Sequence, residues 1–171
     1  MNLPPISADQ LYAIALGSNR CHGLHGRPAA IIDAAITALG QADIAIIATA
    51  PTHSSSPIGP SKRRFANSVI VIQTPMSPPI LLGQLKQIER QFGRRGARRW
   101  GQRVLDLDII LWSGRLWQTP ELMIPHPHWR SRPFVLGPLN AIAPHWRDPV
   151  SGLRVRHIAV RQNRPNPVKH R

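Results

Sequence analysis

Two carboxylates, Asp106 and Asp108, stand one residue apart in the run Leu105-Asp-Leu-Asp-Ile-Ile-Leu111. A short apolar run of this kind predicts a strand, and alternate side chains of a strand share a face. Asp106 and Asp108 then project to one side, and Leu105, Leu107 and Ile109 to the other. Two residues of strand span about 6.6 Å, close enough for both carboxylates to serve one cation cluster. Two like charges in a half-buried strand are costly unless something neutralises them. The neutraliser is either metal or arginine: Arg90 to Arg103 holds six arginines and no acid. Hard oxygen donors with few companions favour magnesium, which completes its shell with phosphates and water.

The stretch just before the carboxylates, Gly93-Arg-Arg-Gly-Ala-Arg-Arg-Trp-Gly-Gln-Arg103, pairs glycines with arginines and one tryptophan, Trp100. Arginine forks match phosphate oxygens. Alone, such a loop equally fits RNA or plain solvation. Beside two carboxylates, it brings cations for a polyphosphate together with ligands for its metals, which is what phosphoryl transfer needs. Three further groups carry two readings each. Phe65 and Phe134 are core residues or flat apolar walls. Asn67 is a turn residue or an amide that reads a ligand edge, and His126, in Ile124-Pro-His-Pro-His128, is a loop histidine or a ligand.

These residues need a scaffold, and 171 residues make about one domain. We expect an N-terminal extension over 1–10, a single domain over 11–160 and a basic tail over 161–171. The single cysteine, Cys21, excludes an internal disulfide and suits a reducing cytosol. No apolar stretch reaches membrane-helix length, so a soluble cytoplasmic protein without a membrane partner is expected. The net charge of +14 calls for an anionic partner.

Along the chain, Leu11–Leu16 reads as a buried strand, Pro28–Leu39 as a helix, Ile44–Thr49 as a strand and Pro51–Arg64 as a loop. Phe65–Ile72 is a third strand. Ser77 and Pro78 cap a helix with the stripe Leu81, Leu85, Ile88 and Phe92; Val104–Trp112 is the fourth strand and Phe134–Ile142 a last helix. This order predicts an α+β, ferredoxin-like βαββαβ sandwich with an extra C-terminal helix, its helices against one face of a four-stranded sheet.

The chain resembles the 6-hydroxymethyl-7,8-dihydropterin pyrophosphokinases. The resemblance rests on Ala15-Leu-Gly-Ser-Asn19, Pro57-Ile-Gly-Pro60, Phe65-Ala-Asn67, Arg99-Trp-Gly-Gln-Arg-Val-Leu-Asp-Leu-Asp108, Pro125-His-Pro127, Arg132-Pro-Phe-Val-Leu136 and Ile142-Ala-Pro144. It implies pyrophosphate transfer from ATP, the co-substrate, to the pterin hydroxymethyl group, with release of AMP, in folate biosynthesis. It further implies two magnesium ions on Asp106 and Asp108, with Arg94, Arg103 and Asp108 as the catalytic residues. ATP would be bound by Glu89, Arg94, Trp100, Arg103, Ile109, His126 and Arg132, and the pterin by Ser55, Ile58, Phe65, Asn67 and Phe134. We expect a monomer that binds no nucleic acid. The rival is a basic RNA-binding module on a ferredoxin-like sheet. Such modules display aromatics in a Lys/Arg-Gly-Phe-Gly-Phe type of motif, and this chain has three Phe, one Tyr and no such motif.

Overall fold

The computed structural model describes residues 9–41, 44–55, 65–93 and 104–162. Ile58, Arg94, Trp100 and Arg103 lie outside them, as does most of the basic tail.

The first strand, β1 (Gln10–Ser18), leads into α1 (Pro28–Gly40), which starts on a first-turn proline. An edge follows in two pieces, β2 (Ala45–Thr49) and β3 (His53–Ser55), then the long β4 (Phe65–Thr74). Next come α2 (Pro78–Gln91) and β5 (Asp106–Trp112). The main sheet runs β2-β4-β1-β5, with β3 also on β4, and every pairing is antiparallel. A two-stranded hairpin, β6 (Trp117–Gln118) and β7 (Met123–Ile124), precedes a 3₁₀ turn at Trp129–Ser131, then α3 (Pro133–Ile142) and α4 (Val155–Gln162).

Helices cover both faces of the sheet, not one as the element order predicted. One core packs Ile31, Ile32, Ala35 and Leu39 of α1 and Leu81, Leu85 and Ile88 of α2 on Tyr12, Ile14, Leu16, Ile70, Ile72, Leu107 and Ile109. The other packs Val135, Leu136 and Leu139 of α3 and Val155, Ile158 and Ala159 of α4 on Ala13, Val69, Ile110 and Leu111. The C-terminal addition is thus two helices. The second extends to Gln162, so the first two residues of the expected tail are helical. Ser77 does occupy the cap position of α2, but its side chain makes no capping bond; the first-turn proline carries the start.

A buried ion pair anchors the second helical layer. Arg130 donates through Nε (2.9 Å) and Nη2 (2.5 Å) to the two oxygens of Asp148, which is fully buried. Burial alone would raise the Asp148 carboxyl, but bonds from Arg130, Ser151 and the Val150 N–H hold it below the ordinary carboxylate range.

Candidate active site

The register of the central strand assembles the site. Gly17 lies opposite Asn67 on β4 and opposite Asp106 on β5, and Ala15 opposite Val69 and Asp108. Asn67 in turn faces His53 on β3. A row His53–Asn67–Gly17–Asp106 thus crosses four strands, with Asp108 one step along. Leu107 and Ile109 join the α1/α2 core, so Asp106 and Asp108 share the opposite face, as strand alternation predicts. Both aspartates are half-buried.

Between amide and carboxylates the floor carries almost no side chain. A Cβ at Gly17 would lie 3.5 Å from Asn67 Oδ1, an ordinary contact, so glycine here avoids no clash but leaves open space over the sheet. Asn67 is buried, and its Nδ2 donates to Ser55 Oγ (2.7 Å). This bond fixes the amide plane and leaves Oδ1 turned to the floor. Phe65 begins β4 on the same face. Phe134, in the first turn of α3, packs beside the second core with the Arg132 guanidinium 6.0 Å from its ring centre.

A β-bulge sets the other boundary. Ala13 pairs with Leu111 and Ile14 with Ile109, so Ile110 is the extra residue. The bulge turns Ile110 and Leu111 together into the α3/α4 core. The Ile110 carbonyl accepts the His126 N–H (3.0 Å), which docks the histidine loop against β5. His126 Nδ1 accepts the His128 N–H (3.2 Å), so a neutral ring carries its proton on Nε2. Burial pushes the His126 imidazole down to about 4. The positive charges of Arg132 and His128 add to that, and Asp106 opposes it.

Beside β5 a cleft of about 170 Å³ is lined by Lys86, Asp108, Ile109, Glu121, Leu122 and His126, among others. It joins two carboxylates, a lysine and the histidine to an apolar end, a shape suited to a nucleoside attached to phosphates. Glu89 is fully buried; its Oε1 accepts the Leu107 N–H (2.9 Å) and pairs with Lys86 Nζ (2.9 Å). Lys86 is the residue that sequence reasoning missed; its place one helical turn before Glu89 was the available signal.

Among the described residues no group of three or more His, Cys, Asp or Glu could hold a metal. Asp106 and Asp108 offer two carboxylates on one face of β5, a pair that would suit magnesium completed by phosphate oxygens and water better than an all-protein cage. The structure brings together Asp106, Asp108, Ile109 and His126 on one side, and Ser55, Phe65 and Asn67 on the other. Arg132 and Phe134 come from the start of α3.

A sequence profile of the 7,8-dihydro-6-hydroxymethylpterin-pyrophosphokinases matches residues 13–144. The chain is 40% identical over 138 residues to a Pseudomonas aeruginosa protein named 2-amino-4-hydroxy-6-hydroxymethyldihydropteridine pyrophosphokinase, covering 80% of this chain and 82% of that one. A Synechocystis protein of the same name is 38% identical over 141 residues, 78% of this chain and 72% of the relative. In shape, the chain is similar to a crystal structure of Plasmodium falciparum HPPK-DHPS with pteroate, with a TM-score of 0.68 at 14% identity. That match covers 90% of this chain and 44% of the longer Plasmodium polypeptide, and its likeness concerns the fold alone.

Proposed function

We propose, from the premise that this chain belongs to the 7,8-dihydro-6-hydroxymethylpterin-pyrophosphokinase family, that it transfers pyrophosphate from ATP to 6-hydroxymethyl-7,8-dihydropterin in folate biosynthesis. The observation that carries this reading is the row Asn67–Gly17–Asp106, with Asp108 beside it. It sets a rigid amide on one side of an open floor and two carboxylates on the other. A flat bicycle with donor and acceptor edges needs the first, and a metal-bound triphosphate needs the second. The family match displaces the RNA-binding alternative.

The two half-sites divide the work. Asn67, oriented by Ser55, presents its amide to the pterin rim, and Phe65 and Phe134 supply flat apolar faces; Ile58 belongs to this half. Asp106 and Asp108 would hold two magnesium ions, which supply neutralisation of the phosphate charge and polarisation of the reacting oxygens. Ile109 and the apolar end of the β5 cleft receive the nucleoside. Neutral His126 offers Nε2–H to a phosphate oxygen as a hydrogen-bond donor, and Arg132, Arg94, Arg103 and Trp100 complete the phosphate grip. The pterin hydroxymethyl oxygen then attacks the β-phosphorus in line and gives up its proton to solvent, while the bond from that phosphorus to the α,β-bridging oxygen breaks and AMP leaves. Holding both reactants over one rigid sheet removes most of the entropic barrier of a bimolecular reaction. We read the enzyme as a monomeric cytoplasmic protein on the ferredoxin-like plan, with β2 and β3 as one interrupted edge; among the described residues no helix is long and apolar enough to cross a membrane.

The test is product identity. With magnesium, ATP and the hydroxymethyl dihydropterin, the purified protein should release AMP and pterin diphosphate in equal amounts. ADP with a pterin monophosphate, or hydrolysis of ATP indifferent to pterin, would overturn the reading.

A further inference from the structure

The structure assigns Glu89 a role that works through the metal-holding strand: its buried carboxylate clamps the peptide between Asp106 and Asp108. Among the described residues β5 is the outer strand of the sheet, so alternate N–H groups along it have no strand there to bond to. The Leu107 N–H is such a group, and it donates to Glu89 Oε1 at 2.9 Å. Leu107 is the single residue between the two aspartates, and its N–H belongs to the peptide that leaves Asp106. Fixing that peptide restrains the stretch of backbone from which both carboxylates project. Its side chain is buried in the α1/α2 core at the same time. The segment is therefore held through its side chain by packing and through its backbone by one charge-assisted bond.

The cost of this arrangement shows that it is specific. Glu89 is fully buried on α2, where an apolar residue would extend the stripe of Leu81, Leu85 and Ile88. The same oxygen that accepts the Leu107 N–H also binds Lys86 Nζ at 2.9 Å, so the charge is compensated from its own helix. Helix α2 thus carries a built-in ammonium–carboxylate–amide chain that ends on the metal strand. Partners that orient the ligands of a metal contribute to its affinity without touching it. Glu89 is a positioning residue on this reading, which rests on the metal role proposed for Asp106 and Asp108.

Three measurements test the clamp. In the wild-type protein, the Leu107 amide should exchange with solvent far more slowly than an edge-strand amide open to water. Fast exchange overturns the assignment without need of any variant. Next, Glu89→Ala should speed that exchange and weaken Mn2+ binding, read by electron paramagnetic resonance with a non-hydrolysable ATP analogue present, by about 10–100-fold. Glu89→Gln, whose amide oxygen still accepts the Leu107 N–H, should recover most of both. If Gln is as harmful as Ala and both weaken metal-free analogue binding, Glu89 contacts the nucleotide instead and the inference fails. It also fails if Ala leaves Mn2+ binding unchanged. Failure of the metal reading itself looks different: Mn2+ binding would survive Asp106→Asn combined with Asp108→Asn, while Leu107 exchange remained slow.

Discussion

On the face of the sheet turned to α1 and α2, the central strand contributes Tyr12, Ile14 and Leu16, and its neighbours contribute Ile70, Ile72, Leu107 and Ile109. On the opposite face the same strand contributes Ala13, Ala15 and Gly17. At one end of that second face α3 and α4 fill the space over Ala13 and Val69; at the other stand Asn67, Asp106 and Asp108. One β-strand therefore turns its large residues to one core and its small ones to the face that carries the second core and the candidate site. The bulge at Ile110 lies near where the second face passes from packed core to the candidate site. Residues of the first face should govern folding, and those at the polar end of the second should govern turnover.

The largest separation is expected at the carboxylates. Asp108→Asn should lower turnover by at least about a hundredfold, or about 2.7 kcal/mol of transition-state stabilisation. Its thermal unfolding should match wild type, since Leu107 and Ile109 behind it are untouched. Retention of more than about a tenth of the activity would remove Asp108 from the reacting centre. The mirror experiment lies one strand away. Ile14→Ala, on the apolar face, should cost about 2–5 kcal/mol in urea unfolding. Turnover per folded molecule should stay near wild type. A variant that kept stability but lost turnover would break the division between the faces.

Much of this division could be read before the structure, and the exceptions have physical causes. Alternation placed Asp106 and Asp108 opposite Leu107 and Ile109 correctly, because a strand allows only two directions. The one-face sheet was wrong, although the signal was present: Val69-Ile-Val-Ile72 is an unbroken apolar run rather than an alternating one, as in a strand covered on both sides. β3 escaped notice because His53-Ser-Ser55 has no apolar pattern and exists only as a partner of β4. α4 offered only Val155, Ile158 and Ala159 among basic residues, a real helical spacing but a short one. The candidate site residues stand out as motif members, but their couplings do not. That Ser55 orients Asn67, or that Glu89 reaches Leu107, depends on how separate elements dock.

Within the polar end the two half-sites should also separate. Phe134→Leu should weaken pterin binding by about one to two powers of ten while ATP-analogue binding changes little. Asn67→Ala should do comparable harm by leaving pterin polar groups unpaired in a desolvated pocket. Ser55→Ala should do less, since it removes only the bond that holds the amide plane. Calorimetric titrations of each variant against both ligands would show it; loss of ATP with pterin binding intact would mean the halves are exchanged.

The smallest and most specific effect concerns His126, which ties the bulge to the carboxylates. Its folded pKa is about 4, below the roughly 6.5 of an unfolded histidine, chiefly through burial and then through Arg132 and His128. The sign follows directly. Between these two values the unfolded chain binds a proton that the folded chain refuses, so this residue makes stability fall as pH drops from about 6.5 towards 4 and adds no further loss below that. Near neutral pH the ring is uncharged, and in the proposed role it would meet phosphate through Nε2–H alone. In the metal-free protein, nitrogen-detected NMR should show the neutral Nε2–H tautomer down to about pH 5. Two substitutions should move the midpoint in opposite directions. Arg132→Ala should raise it by removing a repelling cation, and Asp106→Asn should lower it by removing the carboxylate that favours the charged ring. A midpoint that ignored Asp106 would separate the histidine from the carboxylate cluster, and with it the link between the bulge and the reacting end of the sheet.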